Sequence, residues 1–107
     1  MTTYAIAKLR HVVMGAAIAE YLQRIDATLE PFGGQFRVHG AQAQVLEGTW
    51  PGDLIIIEFP DGRAARAWYA SSAYQAILPL RTENSQGDVI LIDGVSADHR
   101  AADLLPA

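Results

Sequence analysis

Tyr4, Ile6, Lys8 and Arg10 alternate with Ala5, Ala7 and Leu9, and a period of two predicts a first strand over 4–10 with two unlike faces. The small set, Ala5 and Ala7, is expected to let a helix pack close. The period then changes. From Gly15 to Phe32 the apolar positions Ile18, Leu22, Ile25, Leu29 and Phe32 recur at steps of four and three, which predicts an amphipathic helix. Glu20 and Arg24 sit at i, i+4 on its polar face, and Pro31-Phe32-Gly33-Gly34 supplies the stop. No Ser, Thr, Asp or Asn lies between His11 and Gly15, so Gly15 is the default cap.

Gln35 to Gly40 alternates again, with Phe36 and Val38 opposite Arg37 and His39, and predicts a second strand. Gln42 to Glu47 is expected to continue the sheet after a bend at Gly40, and Gly48 to Asp53 to turn. Leu54 to Phe59 is a nearly unbroken, β-branched apolar run, the pattern of a central strand covered on both faces. Asp61 is placed to cap a helix carrying Ala64, Ala65, Trp68 and Tyr69; Ser71-Ser72 breaks and re-caps it, and a short helix follows from Ala73 to about Leu80, where Pro79 is expected to bend or end it. Gly87 to Asp93 is the last strand. Residues 1–95 form one domain on this reading, and 96–107 a tail, either a short helix begun at Ser96 or disordered.

The order is β-α-β-β-α-β. It predicts an α+β, ferredoxin-like fold, a four-stranded antiparallel sheet with its helices on one face. The other face carries Ile and Leu that a single chain leaves in water. Two such sheets are therefore expected to pack face to face as a homodimer, a dimeric α/β barrel.

Composition narrows the function. Among 107 residues, eight are basic and twelve acidic, for a net charge of -4. Nucleic-acid binding needs a basic stripe, and the sequence has none. The longest apolar stretch, Val12 to Ala19, is far short of the ~20 residues that cross a bilayer. With an N-terminus unlike a signal peptide, a cytoplasmic protein with no membrane role is expected. There is no cysteine, and His11, His39 and His99 make no metal-binding spacing, so neither metal nor cofactor is expected. The glycines lack the order of a phosphate cradle.

Five fragments carry a family likeness: Phe32-Gly-Gly-Gln-Phe-Arg-Val-His-Gly40, Val45-Leu-Glu-Gly-Thr-Trp-Pro51, Ile57-Glu-Phe-Pro60, Ala67-Trp-Tyr-Ala-Ser-Ser-Ala-Tyr-Gln75 and Arg81. Together, over Tyr4 to about Val95, the chain resembles the domain of unknown function family numbered 1330. That family resembles the dimeric α/β-barrel superfamily, whose branches include cofactor-independent monooxygenases, muconolactone isomerases, haem-dependent enzymes and ligand-sensing modules. The resemblance points to Glu47, Trp50, Glu58, Trp68, Tyr69, Ser72, Tyr74 and Arg81. His39 stands where the family usually has Arg, Ala41 where it has Gly, and Val12 to Gly15 where it has a capping Asp; Pro79 replaces a helix former.

The resemblance implies a small metabolite, aromatic or carbonyl-containing, held between helices and sheet. A cofactor-independent monooxygenase or isomerase, and a non-catalytic interaction module, are the alternatives. His39, Glu58 and Arg81 are the acid/base and charge-stabilising candidates, while Arg37, Trp50, Trp68, Tyr69, Ser72 and Tyr74 are the ligand-binding ones. Glu58 interrupts an apolar strand and needs a partner, either a ligand amine or hydroxyl, or a cation among Arg81, Arg37 and Lys8. Arg37 and His39 are expected on one face of the second strand, where His39 is either a general acid/base or a hydrogen-bonded sheet histidine. Aromatics with polar tips suit an aromatic substrate or simply fill core and interface.

Overall fold

The computed structural model describes residues 1–106. Strand β1 spans Thr3–Arg10, β2 Gln35–Val38, β3 Asp53–Phe59 and β4 Gln86–Asp93, and they pair antiparallel in the order β2-β3-β1-β4. Helices α1 (Ala16–Leu29), α2 (Gly62–Ala70) and α3 (Ser72–Thr82) lie on one face. This is the ferredoxin-like arrangement that the periodicity predicts, with the second helix split in two at the Ser71-Ser72 break.

Each helix begins and ends for a local reason. Gly15 caps α1 through its extended backbone without a side-chain bond. Pro31 lacks an N–H, so α1 tightens into a 3-10 turn over Glu30–Phe32, closed by Gly33 in the left-handed region at φ 70°. The Asp61 carboxylate accepts from the Ala64 N–H at 2.8 Å, and the Ser71 hydroxyl accepts from the Tyr74 N–H at 3.2 Å. Pro79 neither ends nor breaks α3, contrary to expectation. Buried Tyr74, Ile77 and Arg81 hold the helix on the core, and Thr82, Asn84 and Ser85 donate side-chain bonds to the carbonyls of Leu78, Leu80 and Arg81.

The expected strand over Gln42 to Glu47 is absent. Residues 39–50 are exposed throughout, Gly40 and Gly48 have φ of 87° and 72°, and no neighbouring strand offers a ladder. The tail carries a 3-10 turn over Ala101–Leu104, with Arg100 rather than Ser96 at its cap; Ala107 lies outside the described residues.

The core fills the helix face: Ala5, Ile57 and Phe59 from the sheet meet Tyr21, Ile25, Leu29, Trp68, Tyr74 and Ile77 from the helices. The opposite face is bare. β3 is an inner strand, yet within one chain it is covered on one side only: Ile57 and Phe59 are buried while Leu54, Ile56 and Glu58 are half-exposed.

Candidate functional site

Between α1, α3 and the sheet lies a cavity of about 250 Å³. Ala5 and Ala7 of β1 face the helices, and their short side chains leave room for part of the cavity. Ile18, Tyr21 and Ile25 from α1, Ile55 and Ile57 from β3, Trp68 from α2, and Tyr74 and Arg81 from α3 are among the residues of its wall. The lining is largely apolar, with a few polar groups at defined places, the usual character of a small-molecule site.

The polar groups of the inner wall are joined. Tyr21 and Tyr74 share a hydrogen bond of 2.8 Å between hydroxyls, and the Arg81 guanidinium lies 5.9 Å from the Tyr21 ring centre. Burial, then the neighbouring Tyr74 and its hydrogen bond, push the Tyr21 hydroxyl well above the ordinary tyrosine value, although Arg81 pulls the other way. Burial pulls the Arg81 guanidinium down, but contact with Tyr74 and Tyr21 more than offsets it and leaves the group firmly cationic. The Trp68 indole N–H donates to Thr28 at 3.0 Å, and Thr28 in turn donates to the Ile25 carbonyl at 2.7 Å, which fixes the ring beside Tyr74 at a centroid distance of 4.1 Å.

His39 reaches the same cavity by a bulge. The ladder pairs Phe36 with Ile57 but Val38 with Ile56, so Arg37 is the extra residue and the alternation reverses after it. His39 consequently lies on the helix side, stacked on Phe36 at 4.5 Å and 19°, with both rings lining the cavity. Arg37 stays on the open face, where it donates to Glu58 at 3.2 Å and to Gln35 at 2.8 Å. The placement of Arg37 and His39 on one face does not hold, because strict period two fails at a bulge. Glu58 bonding holds Arg37 above the ordinary arginine value.

The expected site residues therefore divide. His39, Arg81, Trp68 and Tyr74 converge on the cavity. Glu58 and Arg37 pair with each other on the opposite face, at 3.2 Å. Trp50 lies under the Lys8 ammonium, 4.4 Å from its ring centre, beside the 39–52 loop rather than in the cavity. Tyr69 packs against Tyr74 in a tilted arrangement at 5.6 Å and 46°, and Ser72 opens α3; neither Tyr69 nor Ser72 lines the cavity. Tyr21 and Thr28 are the residues the sequence reading passed over. A stripe of Ile18, Tyr21, Ile25 and Thr28, at steps of three and four, fits the helix period as well as the stripe through Leu22, which is 40% exposed.

Among the described residues no group of three or more His, Asp or Glu side chains converges as a metal would need, and no helix is long and apolar enough to cross a membrane.

No curated protein matches the chain. Solved structures do. A protein of unknown function from Rhodopseudomonas palustris is similar with a TM-score of 0.67 at 16% identity, over 89% of this chain and 83% of that one. A dimeric ferredoxin-like protein of unknown function from Jannaschia sp. CCS1 gives 0.63 at 12% identity, over 88% and 100%. SnoaB, a cofactor-independent oxygenase from Streptomyces nogalater, gives 0.55 at 15% identity, over 92% and 96%. At these identities the likeness is one of fold. Residues 2–95 match the model of a family described as Domain of unknown function (DUF1330), and the chain belongs to that family.

Proposed function

We propose that the protein is a homodimeric binder of a small aromatic or carbonyl-containing metabolite, held in the cavity between helices and sheet. One observation carries this reading: an apolar cavity of about 250 Å³ lined by the buried Arg81 and by the hydrogen-bonded Tyr21–Tyr74 pair. Arg81, Tyr21 and Tyr74 orient the ligand, while Trp68 and Ile57 pack its body. Glu58 and Arg37 serve the open face, not the chemistry. His39 supports a second reading, an enzyme of the cofactor-independent oxygenase or isomerase kind. It is an exposed imidazole at the cavity rim, placed to exchange a proton between an occupant and solvent.

Native mass spectrometry of the purified protein tests the first reading. The expected spectrum shows a dimer carrying a reproducible added mass, and Ala7→Leu, which fills the cavity from β1, retains the dimer and loses that mass. An added mass that survives Ala7→Leu places the ligand elsewhere and overturns the assignment. Oxygen uptake or isomerisation of the identified ligand, lost in His39→Ala with binding preserved, supports the enzymatic reading.

A further inference from the structure

The inner end of the cavity is rich in donors and poor in acceptors. Arg81 is 8% exposed, and the ion pairs of the described residues join Arg10 to Asp88, Arg24 to Glu20, Arg37 to Glu58 and His99 to Asp103, leaving Arg81 without a carboxylate. A guanidinium has five N–H donors and no acceptor. The Tyr21 and Tyr74 oxygens beside it can take part of that capacity. Any Arg81 donor without a hydrogen-bond partner keeps access to open space, and Arg81 lines the cavity. Between the two tyrosines, one hydroxyl proton is used in their mutual bond; the other meets no acceptor among the described residues. The cavity-lining groups that can accept, Asp53 and His39, are exposed at its rim.

A cation taken out of water with no counter-charge is unfavourable, and donors without acceptors add to that cost. Both are relieved by an occupant that brings negative oxygen. Building on the cavity as a ligand site, we propose that it takes an aromatic carboxylate: the two carboxylate oxygens lie against the Arg81 fork, one of them also accepting from the free tyrosine hydroxyl, and the ring lies among Ile18, Ile57 and Trp68. The planar fork matches a carboxylate at two points. Walls of isoleucine and tryptophan match a flat apolar body.

Calorimetric titration with benzoate and naphthoate, each against its neutral amide, separates the charge from the shape. The acids are expected to bind about 10- to 100-fold more tightly than the amides, the range of a charge-assisted hydrogen bond. Arg81→Met is expected to abolish that difference while still binding the amides. The double variant Tyr21→Phe/Tyr74→Phe, which removes both hydroxyls, is expected to weaken acid binding about 5-fold and amide binding less; it decides the matter together with the wild-type comparison if Arg81→Met does not fold. Equal binding of acid and amide, or an acid preference that persists in Arg81→Met, overturns the carboxylate assignment and leaves the cavity as a ligand site. Binding of neither class overturns both.

Discussion

Tyr21 keeps its proton in the folded chain to a higher pH than in the unfolded one, because burial and then Tyr74 oppose its ionisation more than Arg81 favours it. The unfolded chain releases that proton near the ordinary value of 10.0, while the native chain still holds it. Above that pH the native state therefore binds more protons than the unfolded state, and stability falls as pH rises. One such group contributes a slope of at most about 1.4 kcal/mol per pH unit. Urea unfolding from pH 9 upward, with those pH values set about the 10.0 reference, is expected to show this decline in the wild type and a flatter one in Tyr21→Phe. Equal slopes in the two proteins place the perturbed hydroxyl elsewhere. The same residue shows the limit of apolar patterning. Tyr21 counts as neither clearly apolar nor clearly polar, so a stripe drawn through aliphatics alone passes beside it, and only its hydroxyl contact with Tyr74, 53 residues away, reveals its place.

At the scale of elements, two glycines that look alike in sequence behave as opposites. A Cβ at Gly34 meets Leu29 Cδ2 at 2.7 Å and Phe59 Cε1 at 2.8 Å, both in the packed core where the chain turns from α1 into β2. Gly34→Ala is expected to cost about 1–3 kcal/mol, read as a lower denaturation midpoint. Gly15 has nothing within 4 Å and caps α1 with extended backbone, so Gly15→Ser adds the missing side-chain acceptor and is expected to gain a few tenths of a kcal/mol. Reversal of the two signs would contradict this packing of the α1–β2 junction. Elements whose pattern is set by their own residues are legible in the sequence: β1 by its alternation, β3 by its β-branched run, α2 by Asp61, the start of α3 by Ser71. Those decided by a partner are not. The bulge in β2 exists only in its register with β3, and it moves His39 to the cavity side. Pro79 stays inside α3, which is held by its buried side chains Tyr74, Ile77 and Arg81.

The molecule measures 52 × 35 × 19 Å, and its thin dimension is that of one sheet and one helix layer. Across the open face the register aligns Val38, Ile56, Ile6 and Ile90, one from each of the four strands, into a single β-branched row. Neighbouring rows carry Glu58 beside Tyr4 and Ile92, and Lys8 beside Leu54 and Asp88, so charge of both signs borders an apolar centre. A two-fold axis that sets such a face against its own copy would bury the apolar row. Ile90 is 52% exposed and Ile92 50%, which makes β4 a place where a charge disturbs association without disturbing the fold. Ile90→Glu sets a carboxylate in the row beside Ile6, and burying it against a second sheet has no compensating cation directly across. Light scattering after size exclusion is expected to give a dimer for the wild type and a monomer for Ile90→Glu, with unchanged far-ultraviolet circular dichroism. A monomeric wild type, or an Ile90→Glu protein that remains dimeric, removes the open face as the interface. The cavity on the opposite side of the sheet is built within one chain, so the monomeric variant is also expected to retain ligand binding.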